Sequence, residues 1–207
     1  MSQPDFDSRA ATWDEDPRKV KMATKIADAI AAQVELSPHM RALEYGCGTG
    51  LVSFALAERM GDITLSDSSR GMLDVVDAKI AQLPAREGGR TLASVKLDLT
   101  TDALPDGRFD LIYTSMTMHH VPDTEAVLAK FFALLEPDGL LCIADLDAED
   151  GSFHGPDVDV HHGFDREVLA GQLRGSGFEV KGFTTAVEIP RGDDHFSIFL
   201  AIARRHP

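Results

Sequence analysis

The segment Glu44-Tyr45-Gly46-Cys47-Gly48-Thr49-Gly50 constrains this chain more than any other, because it joins an apolar run, Arg41 to Tyr45, to a helical period from Leu51 to Met60. Glycines at alternate positions let the backbone turn sharply, and the helix that follows offers unpaired N–H groups at its start. Strand, glycine turn and helix in that order make the first unit of a parallel α/β sheet, with a ligand site at the turn. The spacing also discriminates between ligands. A dinucleotide fingerprint puts its third small residue three positions after the second glycine, and Leu51 stands there. The third glycine instead comes two after Gly48, which disfavours a nicotinamide cofactor.

The rest of the chain repeats the alternation of short apolar runs with helical periods. Val20, Ala23, Ile26, Ala27, Ile30 and Val34 recur at three- and four-residue steps, predicting an amphipathic helix whose apolar face packs on the sheet. Strands are expected at Ile63 to Ser66, Val95 to Leu97, Phe109 to Thr114 and, after a Pro137-Asp138-Gly139 turn, Leu140 to Ala144. Helices are expected from Gly71 to Leu83, from Thr124 to Leu135 and, N-capped by Asp165, up to Arg174. Phe178 to Ile189 and Phe196 to Ala203, joined by Pro190-Arg191-Gly192-Asp193-Asp194, fit a closing antiparallel hairpin.

A length of 207 residues suits one domain, organised as an N-terminal cap and helix (1–38), a core (40–145) and a loop, helix and hairpin (146–207). The 34 acidic against 20 basic residues leave a net charge of −14, which repels a phosphate backbone, so no nucleic-acid partner is expected. The opening residues lack a basic start and an apolar run, and no stretch reaches spanning length. No membrane insertion and a cytoplasmic location are therefore the expectation. Cys47 and Cys142 lack metal or disulfide spacing and read as reduced thiols.

The acidic residue and x-Gly-x-Gly-x-Gly from Glu44 to Gly50, Asp67-Ser68-Ser69-Arg70-Gly71-Met72-Leu73, Asp98-Leu99, Met118-His119-His120-Val121-Pro122-Asp123 and Glu136-Pro137-Asp138-Gly139 follow one another in order. With these segments the chain resembles the class I S-adenosylmethionine-dependent methyltransferases, and most closely their ubiquinone/menaquinone-biosynthesis-like branch (methyltransferase type 11/12/25). Asp138 departs from that family's Pro-Gly-Gly turn. The resemblance implies a doubly wound, Rossmann-like α/β fold whose seven-stranded sheet runs 3-2-1-4-5-7-6 with only strand 7 antiparallel. It implies S-adenosyl-L-methionine as cofactor, held by Glu44, Tyr45, Gly46, Cys47, Gly48, Gly50, Asp67, Ser68, Met72, Asp98, Leu99 and Ser115.

Residue chemistry supports particular roles within that set. A carboxylate at a strand end accepts both ribose hydroxyls, and Asp67 is so placed, its alternative being the cap of the next helix. Asp98 with the Leu99 N–H suits adenine, against a solvated turn aspartate. Glu44 suits the ammonium of a cationic sulfonium ligand, against a charge at a helix terminus. The sulfonium is already activated, so the protein's task is to position a small-molecule acceptor through O, N or C. S-adenosyl-L-homocysteine is the product, and a non-catalytic sensor or scaffold is the alternative.

Acceptor residues belong beyond the carboxyl ends of the strands, where His119, His120, Asp145, Asp147, Glu149, Asp150, His154, His161 and His162 fall. His119, His120 and His162 are the weak candidates for a catalytic base. Asp157, Asp159, His161 and His162, with His154 upstream, invite a metal reading, but adjacent histidines diverge on most backbones, so no metal is expected. Trp13 and Asp14 resemble the aromatic-Asp element that in related enzymes folds over the cofactor, with core packing the alternative for Trp13, and Met116 and Met118 are expected to line the acceptor pocket or the core.

Overall fold

The computed structural model describes residues 5–84, 87–154, 158, 160–191 and 194–206. Its sheet has seven strands in the order β3-β2-β1-β4-β5-β7-β6. They are β1 (Ala42–Tyr45), β2 (Ile63–Asp67), β3 (Leu92–Lys96), β4 (Phe109–Ser115), β5 (Leu135–Leu146), β6 (Phe178–Arg191) and β7 (Asp194–Arg205). Pairings from β3 through β5 are parallel, and β7 runs antiparallel to both β5 and β6. The expected order and the single reversed strand are borne out.

The helices are α1 (Phe6–Arg9), α2 (Pro17–Gln33), α3 (Leu51–Leu56), α4 (Arg70–Gln82), α5 (Thr124–Leu134) and α6 (Arg166–Gly175). Strict alternation along the central strands feeds two cores. On one face Ala42, Leu111, Tyr113, Cys142, Ile198 and Leu200 meet Ile26 and Ile30 of α2, Val52 and Leu56 of α3 and Leu73 and Val76 of α4. On the other, Leu43, Ile112, Leu141, Ile143 and Phe199 meet Val127 and Phe131 of α5 and Leu169 and Leu173 of α6. Each such side chain contributes roughly 1.5–3 kcal/mol on burial, so two-sided burial specifies strand register as well as stability.

Several local expectations are corrected. Val20 is 37% exposed, because α2 starts at Pro17 and Asp16 caps it, leaving its first turn beyond the sheet. The first strand starts at Ala42 rather than Arg41, and α3 gives way at Ala57 to a 3-10 turn. The third strand spans Leu92–Lys96 rather than Val95 to Leu97, since it pairs residue by residue with Ile63–Asp67. The Pro137-Asp138-Gly139 turn lies inside β5 as a bulge: Phe109 pairs with Leu135, then Leu111 with Leu140, and Asp138 takes a φ of 66°. Gly192 and Asp193 of the hairpin turn lie outside the described residues. Among the described residues, no helix is long and apolar enough to cross a membrane.

Candidate functional site

The parallel strands β1, β2, β4 and β5 end their carboxyl termini side by side, and the sequence-predicted residues converge there. The turn after β1 requires its glycines for two different reasons. A Cβ on Gly46 would collide with the Thr117 side chain, which crosses from the loop after β4 and bonds the Gly46 carbonyl at 3.1 Å. A Cβ on Gly48 would meet nothing within 4 Å, although φ there is +53°. Gly46 is thus required by packing, whereas Gly48 leaves an open backbone face toward which a ligand can approach.

Asp67, at the end of β2, is held by that same turn. The Gly48 N–H donates to its Oδ2 and the Ser69 N–H to its Oδ1, both at 2.8 Å. Burial pushes its pKa above the usual carboxylate value, against the backbone donors of Ser69, Gly48 and Ser68. Capping of α4 falls to Ser69, whose Oγ accepts from the Met72 N–H at 3.1 Å. Asp67 is therefore free of the cap role and oriented at the turn, with lone pairs left for two hydroxyls. Ser68 beside it is exposed, while the Met72 side chain is buried.

Glu44 takes the helix-terminus role that the sequence left open. Its buried carboxylate accepts from the Ser53 N–H in α3 at 3.2 Å and from the Ser53 hydroxyl, which also bonds the Tyr113 hydroxyl at 2.6 Å. Burial drives its pKa up to about 8, with the Ser53 hydrogen bonds opposing. Cys47 is buried, and burial raises its thiol pKa well above the usual value. At the end of β3, Asp98 accepts from the Thr100 N–H and hydroxyl at 2.9 and 2.6 Å, so its carboxylate forms a local turn. Leu99 is buried, and its carbonyl accepts from Lys130 Nζ at 2.6 Å. Burial, with Asp98 nearby, raises the Tyr45 pKa to about 12.

After β4 the chain turns at Ser115, and Met116 adopts φ of 53°, a strained value for a side chain with Cβ. Met118 is core, while Met116 is half-buried. His119 is buried: its Nδ1 lies 2.6 Å from Asp145 Oδ1 at the end of β5, and its Nε2 lies 3.0 Å from His154 Nε2. Since a carboxylate only accepts, the Nδ1 proton is donated to Asp145, leaving Nε2 to accept from His154. His120 lies tilted against His119, with ring centroids 4.2 Å apart, and Phe6 of α1 caps it edge-on at 5.4 Å. Burial, then neighbouring imidazoles, lowers the pKa of His120 to about 3 and of His154 to about 4.

His162 does not join this group. It is exposed beside Gly151, while His161 turns its Nε2 to the Val121 carbonyl at 2.8 Å, so the two rings diverge as expected. Asp157 and Asp159 lie outside the described residues. The loop from Asp147 is nonetheless pinned, by Ala148 N–H to Phe164 O, Glu149 N–H to His162 O and His161 N–H to His119 O, at 2.8 to 3.0 Å.

The N-terminal segment covers the glycine turn from above. Asp14 accepts from the Thr49 hydroxyl at 2.6 Å and pairs with Lys79 at 2.5 Å, and Asp7 accepts from the Gly71 N–H at 2.8 Å and from the Ser69 hydroxyl. Trp13 is half-buried rather than core, with Lys19 Nζ 3.5 Å from its ring centroid. Sequence reasoning missed Asp7, Thr117, Ser53 and Tyr113, whose partners lie 62, 71, 9 and 60 residues away. Only the Ser53 spacing is local enough to have been found from pattern.

A family model described as a methyltransferase domain matches residues 18–181. The biotin biosynthesis bifunctional protein BioCD of Bordetella avium (strain 197N) is 40% identical over 129 residues, covering 61% of this chain and 26% of that protein. The ubiquinone biosynthesis O-methyltransferase of Xanthomonas campestris pv. campestris (strain B100) is 31% identical over 150 residues, 68% of this chain and 58% of that protein. The chain thus spans 26% and 58% of these curated relatives' lengths. Among solved structures, a chain of the complex between the Haloferax volcanii Trm112 methyltransferase activator and a methyltransferase superposes with a TM-score of 0.75, at 16% identity and 100% coverage of both chains. Magnesium protoporphyrin IX methyltransferase from Synechocystis PCC 6803, with bound S-adenosylmethionine, superposes at 0.67, with 16% identity and 99% and 86% coverage. These likenesses show the fold. On the matched family model and the glycine turn that fits it, this chain belongs to the methyltransferase domain family, and its cofactor is S-adenosylmethionine.

Proposed function

We propose that this protein transfers a methyl group from S-adenosylmethionine to a small-molecule acceptor bound at the carboxyl ends of β4 and β5. The observation that carries this reading is the joint between Gly48 and Asp67, where an open glycine face and an oriented, partly buried carboxylate lie 2.8 Å apart at the switch of strand order. In this reading Asp67 accepts the ribose hydroxyls, and the backbone from Gly46 to Gly50 lies along the amino-acid part of the cofactor. Asp98 and Leu99 flank the adenine, and Ser115 lies under the sulfonium side. Glu44 acts indirectly, holding the first turn of α3 through Ser53.

The bound sulfonium supplies the activated methyl, so the chain's own contribution is orientation and exclusion of water. Asp7, Asp14 and Phe6 close the top of the site, and the stretches 147–154 and 160–164 wall its acceptor side. Oxygen is the favoured acceptor atom, because two of the relatives are O-methyltransferases by name. Incubating the protein with S-adenosylmethionine and a panel of phenols, enols and carboxylic acids, with detection of S-adenosylhomocysteine, tests this. Acceptor-dependent product is expected. Saturable cofactor binding with no turnover on any acceptor would overturn it in favour of a sensor.

A further inference from the structure

Beyond cofactor and acceptor, the rings after β4 and β5 form a cluster that methyl transfer by itself does not require. We propose that the imidazoles of His119, His120 and His154 hold a divalent transition-metal ion at the carboxyl ends of β4 and β5. Each offers one ring nitrogen, and the three nitrogens lie within 4.8 Å of one another. The 3.0 Å between His119 Nε2 and His154 Nε2 is near the roughly 3.3 Å edge of a tetrahedron whose metal–nitrogen bonds are about 2.0–2.1 Å. Seating an ion therefore requires the His154 proton to move from Nε2 to Nδ1, the two rings to turn toward a common point and the third ring to draw in.

The surroundings of these rings support coordination. Asp145 is fully buried, accepts from His119 Nδ1 at 2.6 Å and is itself fixed by the N–H groups of Leu146 and His119. A carboxylate behind a ligating histidine sets its tautomer and aims Nε2 at the ion. His120 Nδ1 is buried without a hydrogen-bond partner, so this ring is not placed there by a hydrogen bond at that atom. His154 stands on a turn tightened by Glu149, which accepts from the Gly151 and Phe153 N–H groups at 2.9 and 3.0 Å. It is thus presented to the cluster by a built loop.

An all-imidazole set suits Zn²⁺, Fe²⁺, Cu²⁺ or Ni²⁺ rather than Mg²⁺ or Ca²⁺, and three ligands leave a tetrahedral ion one open position. The substrate class that fits that position is an oxygen acid: a phenol, enol or carboxylic acid. Its proton passes to water as the oxygen coordinates. The sulfonium C–S bond then breaks, the C–O bond forms, and S-adenosylhomocysteine leaves with the electron pair on sulfur. This acceptor assignment rests on the methyl-transfer reading, whereas the metal site does not.

The test uses untagged full-length protein, stripped with a chelator and titrated with Co²⁺ alone. One equivalent should bind with the intense visible absorption of a tetrahedral site, and Zn²⁺ should displace it. His154→Ala and His120→Ala should each weaken Co²⁺ binding by at least about tenfold, while His162→Ala on the neighbouring stretch leaves it unchanged. S-adenosylhomocysteine affinity, measured without metal, reports folding of every variant. No stoichiometric Co²⁺ binding, or binding indifferent to both His154→Ala and His120→Ala, overturns the site and leaves an imidazole hydrogen bond only. Acceptor-dependent release of S-adenosylhomocysteine in that case keeps the methyl-transfer reading, so the two failures are distinguishable.

Discussion

Asp67 serves two masters, and its substitution should reveal both. Its carboxylate accepts the N–H groups of Gly48 and Ser69, while the next helix has its own cap in Ser69. With Asp67 holding the ribose as proposed, Asp67→Ala should remove charge-assisted bonds each worth roughly 1.5–3 kcal/mol and lower the affinity for S-adenosylhomocysteine about ten- to hundredfold by calorimetry. Because two backbone donors also lose their acceptor, the apo melting temperature should drop as well. A lower melting temperature with wild-type affinity would sink the assignment. The glycines of the turn should separate in the opposite way. Gly46→Ala drives a methyl into Thr117 and should destabilise the fold by about 1–3 kcal/mol. Gly48→Ala meets no atom and pays only for its left-handed backbone, about 1 kcal/mol, yet should weaken cofactor binding by more than tenfold. Equal loss of affinity in both, once corrected for folding, would contradict this division.

At the scale of elements, the N-terminal segment is attached to the site by few interactions. Asp14 links Thr49 of the glycine turn to Lys79 of α4, and Asp7 sits at the start of α4. The Lys79–Asp14 pair is about one-third exposed on each side, so it contributes well under 1 kcal/mol to global stability. Its effect should be local. Asp14→Ala is expected to speed amide exchange in residues 6–15 and raise the S-adenosylhomocysteine dissociation constant a few-fold, with the melting temperature nearly unchanged. Exchange rates identical to wild type in that segment would show that Asp14 does not fasten it. The elements themselves differed in legibility. β7, with Ile198, Leu200 and Ile202 on one core and Phe199, Ala201 and Ala203 on the other, declares a strand buried on both faces. The edge strand β3 carries Leu92, Ser94 and Lys96 without a buried run, so its start was set by pairing with β2 rather than by pattern.

For the whole molecule, Glu44 places a titratable group in the middle of the sheet. It lies on β1, beneath α3, and burial lifts its pKa from 4.5 to about 8. Between those values the folded protein keeps a proton that the unfolded chain releases. The resulting stability is complete below about 4.5 and is lost as pH rises through about 8, on the order of a few kcal/mol. The apo melting temperature should therefore fall between about pH 6 and pH 8.5, and Glu44→Gln should flatten that slope. A variant with the wild-type slope would assign the pH dependence to other groups.

The sequence by itself determined the alternation of strands and helices and the place of the glycine turn, because period-2 and period-3.6 patterns and glycine spacing are local properties of a chain, while the sheet order followed from the family resemblance that the ordered motifs carry. Asp67 and Gly48 were legible for that reason. Only the tertiary structure decided that Glu44 turns under α3, that Thr117 fills the space over Gly46, and that His119 meets both Asp145 and His154 while His162 stays apart. Those pairings join the ends of different strands to a loop 35 residues away. No periodicity encodes them, since the packing of the sheet brings the strand ends together before any side chain can choose its partner.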